Sequence, residues 1–347
     1  MKNVLILLAT VVLLSLSGPL QGQSRRGSTV APFLTLGMGA NGNGLGHAYT
    51  AVTSGAESIF WNPAGMARSG DSNSGGSLFM SQQNWFADVN MYAMGLVIPA
   101  GNVGRLGFHI GYVDYGRMEI TTVDIPDGTG ITFGAYDLSV GASYASKLTQ
   151  DFHFGGTAKL VRQSIWDMTA QTIAVDVGFI LETDYLNGMS IGASIFNFGG
   201  KMQMVGINTD MFADIDPTSE GNNPDTPVTI KTDKWDLPIS FKFGTVIPAI
   251  KTEFVTLNVM SDIHQTNDND INLDNGAQML FSTRTVQFNV NAGYKDLFLD
   301  NTVDSHFTYG VGIKLRTANS VNIGFNLAQV PYRYLGNTTM VDLRIFF

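Results

Sequence analysis

The sequence contains no cysteine. That excludes a fold held by disulfides and a lipid anchor on an N-terminal cysteine. Charge is also scarce: 14% of residues are Asp, Glu, Lys or Arg, against about 25% in ordinary soluble domains. The imbalance is acidic, with a net charge of −9, so the chain lacks the basic surface that nucleic acids require and no nucleic-acid partner is expected. An apolar run long enough to form a membrane-spanning helix is missing too. Val4 to Leu16 is roughly thirteen residues, too short to cross a bilayer but suited to a secretory signal. Lys2 precedes it, and Gly18-Pro19 and the polar stretch Gln21–Ser24 follow. Cleavage is expected near Gly22/Gln23, although Leu20 is larger than the usual residue three positions before a cut.

What the sequence does have is glycine (39 residues), aromatics (11%) and alternation. Between Thr285 and Tyr294, Val286, Phe288, Val290, Ala292 and Tyr294 share one face, and Gln287, Asn289, Asn291 and Gly293 the other. Leu138, Val140, Ala142 and Tyr144 oppose Asp137, Ser139, Gly141 and Ser143 in the same way. Successive side chains in a strand point to opposite faces, so each such segment has one apolar and one polar side. The pattern predicts fourteen strands near 77–86, 89–98, 105–114, 136–146, 152–163, 172–182, 189–197, 237–247, 254–263, 271–281, 285–295, 306–316, 320–329 and 339–347. About ten residues is the length a tilted strand needs to span a bilayer.

The connections after even-numbered segments are short, whereas Tyr115–Ala135 and Phe198–Asp236 are long. Short periplasmic turns and longer outer loops are the asymmetry of outer-membrane barrels, and an even count places both termini on the periplasmic side. Trp85, Phe86, Tyr112, Tyr144, Trp166, Tyr185, Trp235 and Tyr294 fall near segment ends, where aromatic girdles belong. The terminal Arg344-Ile345-Phe346-Phe347 resembles the assembly signal of such barrels. The competing fold, a secreted β-sandwich, would carry many Lys and Glu on its solvent face; here that face carries Gly, Ser, Asn and Thr. The fold class is therefore all-β: a transmembrane antiparallel barrel of about fourteen strands with an N-terminal plug. Residues 1–22 form the signal peptide, 23–75 the N-terminal periplasmic or plug segment, and 76–347 the barrel. Outer-membrane lipid is its first partner. Lysine at Val290 should be costly and lysine at Asn289 tolerated.

Residues 32–70 do not alternate. They are rich in small and turn-forming residues, with one short helix expected around Ala48–Val52. Phe33-Leu34, the Gly/Ala-rich stretch, Ala48-Tyr49-Thr50-Ala51-Val52 and Trp61-Asn62-Pro63-Ala64-Gly65 together resemble the PorV/PorQ family, within the FadL-like group of outer-membrane barrels. Gly39-Ala40-Asn41-Gly42 departs from that family's Ala-Arg-Ala-like approach to the glycines. The resemblance implies a fourteen-stranded barrel with a hatch that includes Asn62, Pro63 and Ala64. It further implies a role in type IX secretion or surface attachment, with secreted cargo or secretion-system components as partners. The alternative within the same resemblance is a FadL-like channel taking up hydrophobic small molecules as its ligands.

No catalytic residue, metal site or cofactor is expected. Gly37–Gly42 matches a dinucleotide fingerprint but lacks the strand–helix context that makes it work. Asn267–Asp270 with Asp274 is an acidic loop without the glycine and glutamate of an EF-hand, and is read as solvated. Ser139, Ser143, His109 and His153 share lumenal faces, but no nucleophile elbow accompanies them. Alternation places His109, His153, Asp176, Lys314, Asp342 and Arg344 in the lumen. The long acidic loop with Asp210, Asp214, Asp216, Glu220 and Asp225 is the expected docking surface.

Overall fold

The computed structural model describes residues 27–68, 75–214, 218, 226–298, 306–317, 321–332 and 336–347. The signal peptide expected at residues 1–22 lies outside the described residues. Alternating segments become strands, as the period-two rule requires: β1 (Ser77–Asn84), β2 (Asn90–Pro99), β3 (Arg105–Glu119), β4 (Thr132–Lys147), β5 (Phe152–Ile165), β6 (Met168–Glu182) and β7 (Ser190–Gly199). The long connection that follows holds three short strands, β8 (Val205–Gly206), β9 (Asp210–Ala213) and β10 (Thr226–Thr229). The second half supplies β11 (Ser240–Lys251), β12 (Val255–Thr266), β13 (Asn272–Ser282), β14 (Val286–Tyr294), β15 (Phe307–Arg316), β16 (Asn322–Tyr332) and β17 (Gly336–Phe346).

Fourteen of these, β1–β7 and β11–β17, close into one antiparallel barrel. Each pairs with its neighbours, β7 meets β11 across the long connection, and β1 closes on β17 with Ser77 opposite Phe346. Closure leaves no free edge, the condition for a sheet in hydrocarbon. The expected segments all appear, and the differences lie at their ends. β3 and β4 run on through a register shift between Asp114 and Arg117, so part of the expected loop 115–135 is ladder. Pro248, just past the expected segment 237–247, sits inside β11 at a register shift between Pro248 and Ile250. A bulge is where a strand tolerates a residue with no N–H.

Exposure follows the predicted faces. Phe288 and Val290 are exposed on the outer wall, while Asn289, Asn291 and Gly293 are buried toward the lumen. The lumen is nevertheless not open water. Asn289 is 8% exposed and lies beside Gly312 and Asn326, so a lysine there meets packed atoms and the tolerance expected of Asn289→Lys is withdrawn. Trp85 also departs from its expected place in a girdle. Its ring packs on Phe86 and Tyr332 at 5.1 and 5.5 Å and against an apolar cluster inside the barrel.

Residues 29–68 occupy the lumen. Their start stands at the outer-loop end, where Val30 N donates to Asp236 O at 3.0 Å and Thr29 Oγ1 to Asp268 Oδ2 at 2.6 Å. Their far end reaches the short-turn end, where Arg68 Nε donates to Glu182 Oε1 at 2.8 Å. The first described residues thus stand at the opposite end from the barrel's own first and last strand ends, which the parity argument did not foresee. The helix expected at Ala48–Val52 is not formed. A single helical turn lies earlier, at Ala40–Gly44, where Asn43 Nδ2 donates to the Gly37 and Gly39 carbonyls at 2.8 and 2.7 Å. Thr50 is instead tied to the wall, its N–H donating to Asp262 Oδ2 at 2.8 Å.

Inward glycines make room for this segment. A Cβ on Gly155 of β5 would strike the backbone of Pro63 and Ala64, and one on Gly293 of β14 would strike Leu45 and Gly46. These glycines serve close approach of two backbones, a role for which any side chain is too large.

Candidate functional site

The turn Trp61-Asn62-Pro63-Ala64-Gly65 is built by local chemistry. Asn62 is extended and caps a 3-10 turn, Pro63–Ala67, its Oδ1 accepting from Ala64 N at 3.2 Å. Asn is a favoured N-cap, and Pro suits the first position because its missing N–H would have no partner there. The Asn62 Nδ2 then donates to Thr50 O and to Phe179 O of β6, both at 3.0 Å, which joins the turn to the wall. Trp61 is fully buried, donates to Met38 O at 2.7 Å and carries Lys242 Nζ 4.8 Å above its ring.

The six predicted lumenal residues all lie on inward faces, but they do not converge. Arg344 and Asp342 hold the helical turn and Glu57: Arg344 Nη1 donates to Glu57 Oε2 at 2.9 Å, and Ala40 N to Asp342 Oδ2 at 2.6 Å. Tyr49 adds an O–H to Glu57 at 3.1 Å. Burial pushes the Glu57 carboxyl up, against the pull of Arg344. His153 stands 3.5 Å from Glu182, the carboxylate that Arg68 binds. Lys314 faces the ring of Phe346 at 4.5 Å. Asp176 pairs with Lys159 Nζ at 2.8 Å, and His109 lies 3.3 Å from Ser139 Oγ.

One acidic expectation changes. The loop at 267–274 is not a solvated run: Asp268 binds Thr29, and buried Asp274 binds His264 Nδ1 at 2.9 Å. Of the expected docking residues, Asp210 accepts from Thr229 Oγ1 at 2.8 Å within the β9–β10 hairpin, and Asp214 directly follows β9. Asp216, Glu220 and Asp225 lie outside the described residues.

The sequence reading missed an apolar sector within the polar lumen. Phe79, Met91, Val97, Val113 and Val161 are buried on the inward sides of β1–β5 and pack into one cluster. The lumenal segment adds Phe33, Met38, Ile59 and Met66 to it. Met202 and Leu237 from the long connection extend the cluster, and Trp85 and Tyr115 pack against it. A cleft of about 40 Å³ remains along this sector. Phe33, Leu34, Leu36, Met38, Ile59 and Phe60 form its apolar wall, and His109, Ser139, Lys159 and Asp176 its polar one. An inward Phe79 or Val161 breaks the alternation one residue at a time, so no single segment signals the path.

No protein-family model matches the chain, and no curated protein matches it in sequence. Solved structures do match. The toluene transporter TbuX of Ralstonia pickettii aligns with a TM-score of 0.55 at 11% identity, over 89% of this chain and 97% of that one. The toluene transporter TodX of Pseudomonas putida gives 0.53 at 10%, over 89% and 97%. The monoaromatic hydrocarbon channel CymD gives 0.54 at 10%, over 89% and 96%. This chain has the fold of hydrocarbon transporters. At such identity the likeness is one of fold, and it does not reach the PorV/PorQ label.

Proposed function

We propose that the barrel admits hydrophobic small molecules across the outer membrane, with residues 29–68 as the hatch in its lumen. One observation carries this reading: a continuous apolar cluster inside an otherwise polar lumen, from Met202 and Leu237 of the outer connection down to Met38 and Met66. Water and ions gain nothing from such a lining, whereas an apolar solute is stabilised by leaving water at each step along it. The likeness to toluene and monoaromatic channels supports the same solute class. Export by the signal at residues 1–22 belongs to this proposal.

The second reading, a PorV/PorQ-like partner in type IX secretion, rests on the string from Phe33 to Gly65, and no feature of the lumen favours it. A deletion strain separates the two. The transport reading expects slower uptake of labelled toluene at low concentration and an unchanged secreted proteome. Collective loss of secreted proteins sharing a C-terminal domain, with normal toluene uptake, would overturn it in favour of secretion.

A further inference from the structure

The cleft beside the hatch has one unmet demand. His109 is 5% exposed, its Nε2 lies 3.3 Å from Ser139 Oγ, and its Nδ1 has no partner among the described residues. Phe60 meets the imidazole edge-on at 5.3 Å, so the ring stands where the apolar wall and the polar wall join. The other polar groups of that wall are already engaged. Lys159 Nζ binds Asp176 Oδ1 at 2.8 Å and Asn197 Oδ1 at 2.6 Å, and Asp176 Oδ1 also accepts from Asn197 N at 2.7 Å.

We infer that the cleft selects a neutral one-ring molecule bearing a single hydroxyl, held by His109 at the hydroxyl and by Met38, Ile59 and Phe60 along the ring. This rests on the transport reading and names its ligand class. A buried ring nitrogen without a partner costs free energy that a ligand recovers by supplying one. Either tautomer of His109 suits the Ser139 contact, so Nδ1 is a donor in one and an acceptor in the other. A hydroxyl serves both. A carboxylate would need a free cation, and Lys159 is committed to Asp176. At about 40 Å³ the cleft takes a ring only if Leu34 and Leu36, both partly exposed on its rim, move aside, and that displacement is part of the inference.

Binding of p-cresol, toluene and 4-methylbenzoate to the full-length protein in nanodiscs, corrected for empty nanodiscs by equilibrium dialysis, tests this. p-Cresol should bind about 3- to 10-fold tighter than toluene, the worth of one hydrogen bond, and 4-methylbenzoate weaker than toluene. His109→Phe should bring p-cresol and toluene to equal affinity. Equal affinities in the unmodified protein, or tightest binding of 4-methylbenzoate, would overturn the inference and leave the transport reading standing. Binding of none of the three would count against both. The ranking in the unmodified protein decides the matter even where His109→Phe does not assemble.

Discussion

Replacing Arg344 by methionine should cost the folded barrel about 3–5 kcal/mol, the usual penalty for removing one partner of a buried ion pair. Arg344 Nη1 is 2.9 Å from Glu57 Oε2, and the Glu57 side chain is wholly buried. Water does not reach the stranded carboxylate, and Tyr49 offers it a single O–H at 3.1 Å. The cost should depend on pH. Without its cation Glu57 has a folded pKa raised further above its unfolded value of about 4.3. A raised acid stabilises the fold below the unfolded pKa and withdraws that stability as pH rises toward the folded one. The penalty should therefore shrink on acidification toward pH 4 and grow toward neutrality. Urea unfolding of the protein in lipid vesicles at several pH values measures it. Glu57→Gln combined with Arg344→Met should recover much of the loss, because the carboxylate paired with Arg344 goes with its cation. A penalty that is the same at every pH would show that Arg344 acts through packing alone.

Lysine at Val290 should cost about 2–4 kcal/mol, the penalty for a cation facing lipid near the bilayer centre. Val290 lies midway along β14, on its outward face, and is 40% exposed. Val290→Leu is the matched control. Lipid accepts a longer apolar side chain at almost no cost, whereas a packed protein interior would charge about 1–3 kcal/mol for overfilling. Unfolding in vesicles should show a large loss for lysine and almost none for leucine. Comparable losses for both would place Val290 in a protein core, as in a sandwich.

The strands were legible because each carries its own evidence. From Val286 to Tyr294 apolar and polar residues change places at every step, and from Phe288 to Gly293 the structure exposes and buries them in that order. The lumenal segment was legible as something other than strand, through its glycines and Asn62-Pro63, but its path was not. Its contacts join residues far apart in the chain: Glu57 finds Arg344, Thr50 finds Asp262, and Thr29 finds Asp268. Nothing local announces them. The apolar sector stayed hidden for a related reason. Period-two reading assigns each strand a polar lumenal face, and Phe79, Met91 or Val161 then looks like an isolated exception. They form one cluster because closure of the barrel brings β1–β5 around Phe33, Ile59 and Met66. His109, in turn, was placed correctly in the lumen, but its unpartnered nitrogen depends on Ser139 and Phe60, neither adjacent to it in sequence.

The central claim is that apolar molecules travel along that sector, and uptake of labelled toluene by cells carrying Phe60→Glu tests it most directly. Phe60 is partly exposed on the apolar wall of the cleft, so the substitution sets a charge in the path without emptying the core. Heat-modifiable electrophoresis confirms that the variant barrel is folded in the membrane. Uptake should fall roughly tenfold, since desolvating a carboxylate beside an apolar solute costs more than about 1.4 kcal/mol. Unchanged uptake through a folded Phe60→Glu barrel would contradict it.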